Sequence, residues 1–252
     1  MLRFGDIVFG PIHSRRLGSS LGVNLLPAGG KLCNFDCIYC ECGWNRDGRD
    51  DRKLPGLDDV RNALEVRIKS CHEEGIAIDS ITFSGNGEPT LHPDFPEIVD
   101  ITLKLRDMYY PEAKVSVLSN ATMLDRDGVM EALKKVDNPI LKLDALTEED
   151  VALINKPSGH YSVARVVEGM KRFDGDFVLQ TMFLRGSGVD ASEPVRLGRW
   201  LDLVRELRPR EIMVYTLDRE APEQGLEKLS VEEMHALVQP LYDEGFNVRI
   251  SG

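Results

Sequence analysis

No apolar run in the 252 residues approaches the roughly 18–20 that a bilayer crossing requires, so no membrane-spanning helix is expected. Cysteine is scarce and unevenly placed: of five, four lie between Cys33 and Cys42, one is Cys71, and none follows it. The start, Met1-Leu2-Arg3-Phe4-Gly5-Asp6, lacks the charged-then-apolar pattern of a secretory leader. An odd cysteine count in that context disfavours a disulfide framework, and a cytoplasmic location is expected. The histidines His13, His72, His92, His160 and His235 show no paired ligand spacing, so no second metal site is indicated. Positive charge is also short, with 31 Lys+Arg against 42 Asp+Glu and a net charge of −11. That balance argues against a general polyanion binder, whose affinity comes from net positive surface. With 22 Gly and 13 Pro, neither residue is enriched enough for a collagen-like or low-complexity chain.

What remains is an ordinary globular balance, 42% hydrophobic and 29% charged. A chain of this length buries roughly 70–75% of its unfolded surface, enough for a core that encloses a cofactor. Short β-branched runs alternate with helical patterns. Strands are expected at Ser20–Leu26, Asp79–Ser84, Lys114–Ser119, Ile140–Asp144, Phe177–Leu184 and Glu211–Leu217, with a weaker one at Asn247–Ile250. Helices are expected at Leu57–Glu74, Phe95–Tyr109, Asp125–Val136, Glu148–Ile154, Ser162–Phe173, Glu193–Leu207 and Val231–Glu244. Thr147 with Asp150, and Ser230 with Glu233, have the spacing of capping boxes. This is the rhythm of βα units with parallel strands. Six regular units are fewer than the eight of a closed TIM barrel, so the expected fold is α/β, an open or partial barrel or a doubly wound sheet. No Gly-, Ser- or Pro-rich linker divides the chain, which implies one domain over 1–252.

Ligands of such folds sit at the carboxyl ends of the strands. The segments just past them are Ser84-Gly85-Asn86-Gly87-Glu88-Pro89, Ser119-Asn120-Ala121, Asp144-Ala145, Arg185-Gly186 and Asp218-Arg219, and the cysteine loop joins the same rim. Cys33, Cys37 and Cys40 are spaced C-x3-C-x2-C. Three thiolates from one loop can take three corners of a [4Fe–4S] cluster, leaving one iron open to an outside ligand. The alternative is zinc, which needs a fourth ligand such as Cys42 or His72. Gly85-Asn86-Gly87-Glu88 can equally be a tight βα turn, and Ser119 and Asn120 can cap the next helix.

Together these strings resemble the radical S-adenosylmethionine (SAM) superfamily. Tyr39 stands immediately before the third cysteine, as in its cluster signature. Phe83-Ser84-Gly85-Asn86-Gly87-Glu88-Pro89 is similar to its GGE motif, Ser119-Asn120-Ala121 to its Thr-Asn-Gly element, and Leu143-Asp144-Ala145 to its Leu-Asp-Ala element. The opening, Gly10-Pro11-Ile12-His13-Ser14-Arg15-Arg16-Leu17-Gly18, resembles single-domain Fe–S oxidoreductases related to the wyosine-tRNA synthase branch.

The resemblance implies a partial (β/α)6 TIM-like barrel of parallel strands. It implies a [4Fe–4S] cluster on Cys33, Cys37 and Cys40, with S-adenosyl-L-methionine on the remaining iron. One electron into the cluster then cleaves SAM to methionine and a 5′-deoxyadenosyl radical. Cofactor contacts are expected from Tyr39, Gly85, Asn86, Gly87, Glu88, Ser119, Asn120, Lys142, Asp144 and Gln180. Glu88 and the Asn86–Gly87 backbone would receive the methionyl ammonium, although Asn86 separates two glycines. Lys142 and Asp144 alternate on one strand and can instead form a buried ion pair. Met182, Tyr215 and Thr216 are further candidates for adenine or substrate contact, against a plain core role. One of Arg15 and Arg16 could close over an anionic substrate. Expected partners are a small-molecule or protein substrate and a one-electron donor such as flavodoxin or ferredoxin, with tRNA disfavoured by charge. Other readings are a glycyl-radical activating enzyme, or a cluster-carrier or electron-transfer protein, which would want a fourth cysteine ligand.

Overall fold

The alternation of β-branched runs and helices is realised as a curled sheet, seen in a computed structural model that describes residues 4–14, 16–47 and 51–252. In chain order the first strands are β1 (Val8–Ser14), β2 (Gly18–Val23), β3 (Ser80–Phe83), β4 (Lys114–Ser119), β5 (Asn138–Lys142) and β6 (Val178–Met182). They are followed by β7 (Leu184–Gly186), β8 (Val189–Asp190), β9 (Glu211–Tyr215), β10 (Glu227–Lys228) and β11 (Val248–Ser251). The helices are α1 (Leu57–Glu73), α2 (Phe95–Tyr109), α3 (Asp127–Lys135), α4 (Glu148–Ile154), α5 (Val163–Lys171), α6 (Pro194–Leu207) and α7 (Val231–Asp243).

The main sheet runs β1-β2-β3-β4-β5-β6-β9-β11. All its pairings are parallel except β1 with β2. It ends at β1 on one side and β11 on the other, which makes it a partial barrel. Across the gap, Arg249 Nη2 donates to the Arg16 carbonyl at 3.1 Å. Two features depart from the expected strands. The edge strand β1 went unread because Gly10 and Pro11 interrupt its pattern, and proline is tolerated in a sheet chiefly at an edge. The run expected at Phe177–Leu184 divides, because β7 leaves the barrel to form a small antiparallel sheet with β8 and β10.

Successive residues of a strand face opposite sides, and the two sides here differ in chemistry. Leu21, Val23, Ile81, Phe83, Val115, Val117, Leu141, Leu179, Ile212 and Val214 face outward into the core beneath the helices. The inward set on β2–β4 consists of small hydroxyls joined in a ladder. Ser20 Oγ lies 2.8 Å from Thr82 Oγ1, Thr82 3.0 Å from Ser80, and Ser80 2.9 Å from Ser116. A packed barrel fills this space with Val, Ile and Leu. Here Ser20 and Thr82 of the ladder, with Leu118, Ile140 and Met213, border a chamber of about 350 Å³.

The two expected capping boxes are realised to different degrees. Ser230 accepts the Glu233 N–H and Glu233 returns the bond, as its spacing implied. At α4, Thr147 accepts the Asp150 N–H at 3.1 Å, but the Asp150 carboxylate turns to Arg196 at 2.6 Å, so the box is half made.

Candidate active site

The chain leaving β2 passes over the carboxyl end of the sheet, and β3 determines where it lies. Leu32 N–H donates to Asn86 O at 2.9 Å and Glu88 N–H donates to Leu32 O at 3.1 Å, joining the cysteine loop to the glycine loop. Such close approach requires Gly87: a Cβ there would stand 1.9 Å from Leu32 O, at φ +140°. Further along, Asp36 N–H and Ile38 N–H donate to Asn155 O and Ile154 O at 2.8 and 2.9 Å, fastening the loop to the end of α4. Asn45 Nδ2 closes it from within, donating to Cys33 O and Phe35 O, both at 3.0 Å.

Cys33, Cys37 and Cys40 consequently open on one cavity of about 280 Å³. Each sulfur has a donor beside it. Phe35 N–H reaches Cys33 Sγ at 3.4 Å and Asn155 Nδ2 reaches Cys37 Sγ at 3.3 Å. Burial pushes the Cys33 thiol up, and pushes Cys37 up to about 11. Cys40 goes the other way, lowered to about 6 by a hydrogen bond from Cys42 and the charge of Lys31, against burial. Cys42 lines the same cavity, its sulfur 3.3 Å from Gly85 O. Its own thiol is pushed up by the hydrogen bond to Cys40 and by burial. Lys31 lies inside the loop, its Nζ donating to Gly43 O at 2.8 Å and Asp36 Oδ1 at 3.2 Å. Burial opposes its charge, but Cys40, Cys33, Cys37 and Asp36 outweigh that and raise its pKa.

Glu88 is the clamp between the exits of β3 and β4. Its carboxylate accepts Asn120 N–H at 2.7 Å, Ser119 Oγ at 2.9 Å, Thr90 N–H at 3.1 Å and the Thr90 hydroxyl. Burial still pushes its carboxyl above the usual range despite these donors. A methionyl ammonium expected at Glu88 therefore meets a carboxylate already engaged with Thr90, Ser119 and Asn120. Asn120 Nδ2 in turn donates to Asn34 Oδ1 at 2.7 Å and reaches Cys33 Sγ at 3.8 Å, tying β4 to the cysteine loop.

On the opposite wall Lys142 hydrogen-bonds the Tyr215 hydroxyl and stands 3.7 Å from Asp144 Oδ1, so the ion-pair alternative is realised. Its ammonium also lies over the Tyr39 and Tyr215 rings, 4.8 and 4.5 Å from their centroids. Tyr39, Gly85, Gly87, Glu88, Ser119, Asn120, Lys142 and Gln180 all line the cavity, as do Met182, Tyr215 and Thr216.

Two expected contacts do not line it. Asn86 turns away, its Nδ2 donating to Phe4 O and Pro27 O, both at 2.8 Å, so it secures the segment before the cysteines. Asp144 is consumed within the protein by the Tyr39 hydroxyl, Asn155 Nδ2 at 2.8 Å and Met182 N–H at 2.9 Å. Arg16 lines the cavity with its guanidinium 5.0 Å from the Tyr215 centroid, while Arg15 lies outside the described residues. Lys31 and Asn155 were missed. Lys31 stands two residues before Cys33, a local signal passed over. Asn155 carries none, because only the fold brings the end of α4 to Cys37.

The donor set suits a [4Fe–4S] cluster: free thiols on one loop, amide donors at two of the sulfurs, and a cavity with room for the open iron's ligand. Among the described residues no three His, Cys, Asp or Glu side chains converge on one point as ligands of a single ion, whereas a four-iron cluster takes its thiolates on separate irons. His72 sits on α1 with its ring edge-on to Tyr109 and Tyr110, at 5.5 and 5.6 Å.

Comparison with known proteins bears on the same segments. The profile of the radical SAM superfamily matches residues 29–177. A UPF0026 protein of Synechocystis sp. is 30% identical over 222 residues, 85% of this chain and 77% of that protein. Among solved structures, Streptococcus suis SuiB bound to S-adenosylmethionine superposes with a TM-score of 0.67 at 16% identity. That match covers 92% of this chain, which spans about half the length of SuiB (50%). An archaeal TYW1 structure superposes with a TM-score of 0.51 at 17% identity, covering 77% of this chain and 65% of that one.

Proposed function

The chain belongs to the radical SAM superfamily, whose members bind a [4Fe–4S] cluster and SAM, and from that premise we propose how its own residues divide the work. Cys33, Cys37 and Cys40 hold the cluster, SAM occupies the 280 Å³ cavity beside them, and the substrate enters the adjoining barrel chamber. The observation that carries this reading is that Cys33, Cys37 and Cys40 face one cavity, while the fourth thiol on it, Cys42, is turned to the Gly85 carbonyl. When bound, the pair supplies one chemistry: an electron from a flavodoxin- or ferredoxin-type donor cleaves SAM to methionine and a 5′-deoxyadenosyl radical, which takes a hydrogen atom from the substrate.

The protein's part is positioning and exclusion. Gly85 and Gly87 present bare backbone to the methionyl group, at φ +138° and +140° where a side chain would be strained. Ser119 and Asn120, held by Glu88, offer fixed polar groups beside it. Gln180, Met182 and Tyr215 form the wall toward the adenosine. Lys142 places its Nζ over the Tyr39 and Tyr215 rings, where it can meet a carboxylate.

The barrel chamber, about 350 Å³, shares Gly85, Leu118 and Gln180 with the cofactor cavity. It suits a small molecule, or one side chain of a protein, with a polar edge toward Ser20 and Thr82 and an apolar edge toward Ile140 and Met213. The net charge of −11 weighs against tRNA. One domain working in the reducing cytoplasm accommodates all of this. Anaerobic reconstitution with iron and sulfide, then dithionite and SAM, tests the reading by chromatography. 5′-Deoxyadenosine is expected, and an intact cluster that yields none overturns it.

A further inference from the structure

We infer that Lys31 is a positioning residue for electron entry: its buried ammonium offsets the negative charge of the thiolates at Cys33, Cys37 and Cys40 and raises the reduction potential of the cluster they hold. This rests on the proposal that these three cysteines are the ligands.

An ammonium removed from water costs several kcal/mol unless anions compensate it. The Lys31 side chain is 2% exposed, yet the carboxylate beside it, Asp36, is 29% exposed and also accepts the Asn45 N–H at 2.8 Å. A half-wet, shared carboxylate is a weak counterpart for a dry ammonium. Lys31 lines the same cavity as all three cysteine sulfurs, which are anionic once they hold the cluster, whereas the carboxylates of Glu88 and Glu41 on that cavity are already engaged, by Thr90, Ser119 and Asn120 and by Arg219. Hydrogen bonds to Gly43 O and Asp36 hold Nζ in place, so its charge cannot swing out to solvent. Of the other cations on this cavity, Lys142 is already engaged by Asp144 and the Tyr215 hydroxyl, and Arg219 by Glu41. Glu88 faces the cavity with the opposite sign. Reduction adds an electron to a site already carrying three thiolates. In a low-dielectric loop that electron is strongly disfavoured unless a fixed cation is near.

The test uses the reconstituted full chain, with iron and sulfide counted first and the midpoint potential then measured by redox titration, following the reduced cluster by electron paramagnetic resonance. Lys31→Met is expected to shift reduction at least tenfold toward the oxidised state, about 59 mV more negative. Lys31→Arg, which keeps the charge, is expected to stay within that interval. Asp36→Asn leaves Lys31 with less compensation and is expected to shift the potential in the positive direction. If Lys31→Met does not load a cluster, Asp36→Asn decides. A loaded Lys31→Met cluster at the wild-type potential, or an Asp36→Asn potential that is unmoved or more negative, overturns the inference. A wild-type chain that takes up no [4Fe–4S] cluster, or a Cys33→Ser variant that takes up the same one, overturns the ligand assignment instead.

Discussion

Replacing Gly87 by alanine puts a methyl where the chain has no room. The new Cβ would lie 1.9 Å from Leu32 O and 2.5 Å from Leu32 C, both backbone atoms, so no rotamer change relieves the clash. The Leu32 carbonyl must retreat by about 1 Å or more to reach van der Waals contact. That movement breaks the pair of hydrogen bonds between Leu32 and the glycine loop, which contribute about 0.5–1.5 kcal/mol each. A side chain at φ +140° adds about 1–3 kcal/mol of strain. The expected loss is therefore about 2–6 kcal/mol, large against a total stability of about 5–15 kcal/mol. Leu32 precedes Cys33, so the displacement also moves a proposed ligand. Urea unfolding of the apo protein measures the first effect, and iron content after reconstitution the second. Gly198→Ala is the control. It lies in α6 with nothing within 4 Å of its Cβ position, and alanine there is expected to stabilise by about 0.5–1 kcal/mol. A Gly87→Ala protein with wild-type midpoint and full iron content would show that the Leu32–Gly87 contact does not hold the cysteine loop in place.

Other perturbations separate the roles of neighbouring groups. Glu88→Gln places an amide among donors, since Thr90, Ser119 and Asn120 all donate to that position; a loss of about 1–3 kcal/mol and weaker SAM binding by calorimetry are expected. Cys42→Ala is expected to keep the iron and sulfide content of the parent, whereas Cys37→Ser abolishes it; a Cys42→Ala chain without a cluster would make Cys42 a ligand. Burial opposes the charge on Asp137, but the Val115 N–H and Arg106 hold its carboxyl below the usual range. It therefore contributes stability above about pH 4, the unfolded value, and loses it as pH falls through the lower folded value. Asp137→Asn should unfold at lower urea than wild type at pH 7 and show the smaller loss on acidification.

The helices were legible in the sequence because their periodicity and caps are local: α2 and α4 occupy the expected residues, and Ser230 caps α7 as read. The parallel strands were legible from β-branched runs at βα spacing. The edge strand β1 was not, because Gly10 and Pro11 hide its alternation. For the site, residue type and spacing identified which segments meet but not which way each side chain turns. Asn86 and Asp144 lie in the right segments, yet most of their partners come from residues far away in sequence: Phe4 and Pro27 for one, Tyr39 and Met182 for the other. Asn155 was invisible for the same reason, since its contact with Cys37 spans 118 residues.

The central claim is that three cysteines leave one iron for SAM. Electron–nuclear double resonance of the reduced cluster, with SAM carrying nitrogen-15 at its methionyl amine, tests it most directly. A hyperfine coupling from that nitrogen is expected, in wild type and in Cys42→Ala. A reduced four-iron cluster that binds SAM without any such coupling would contradict it.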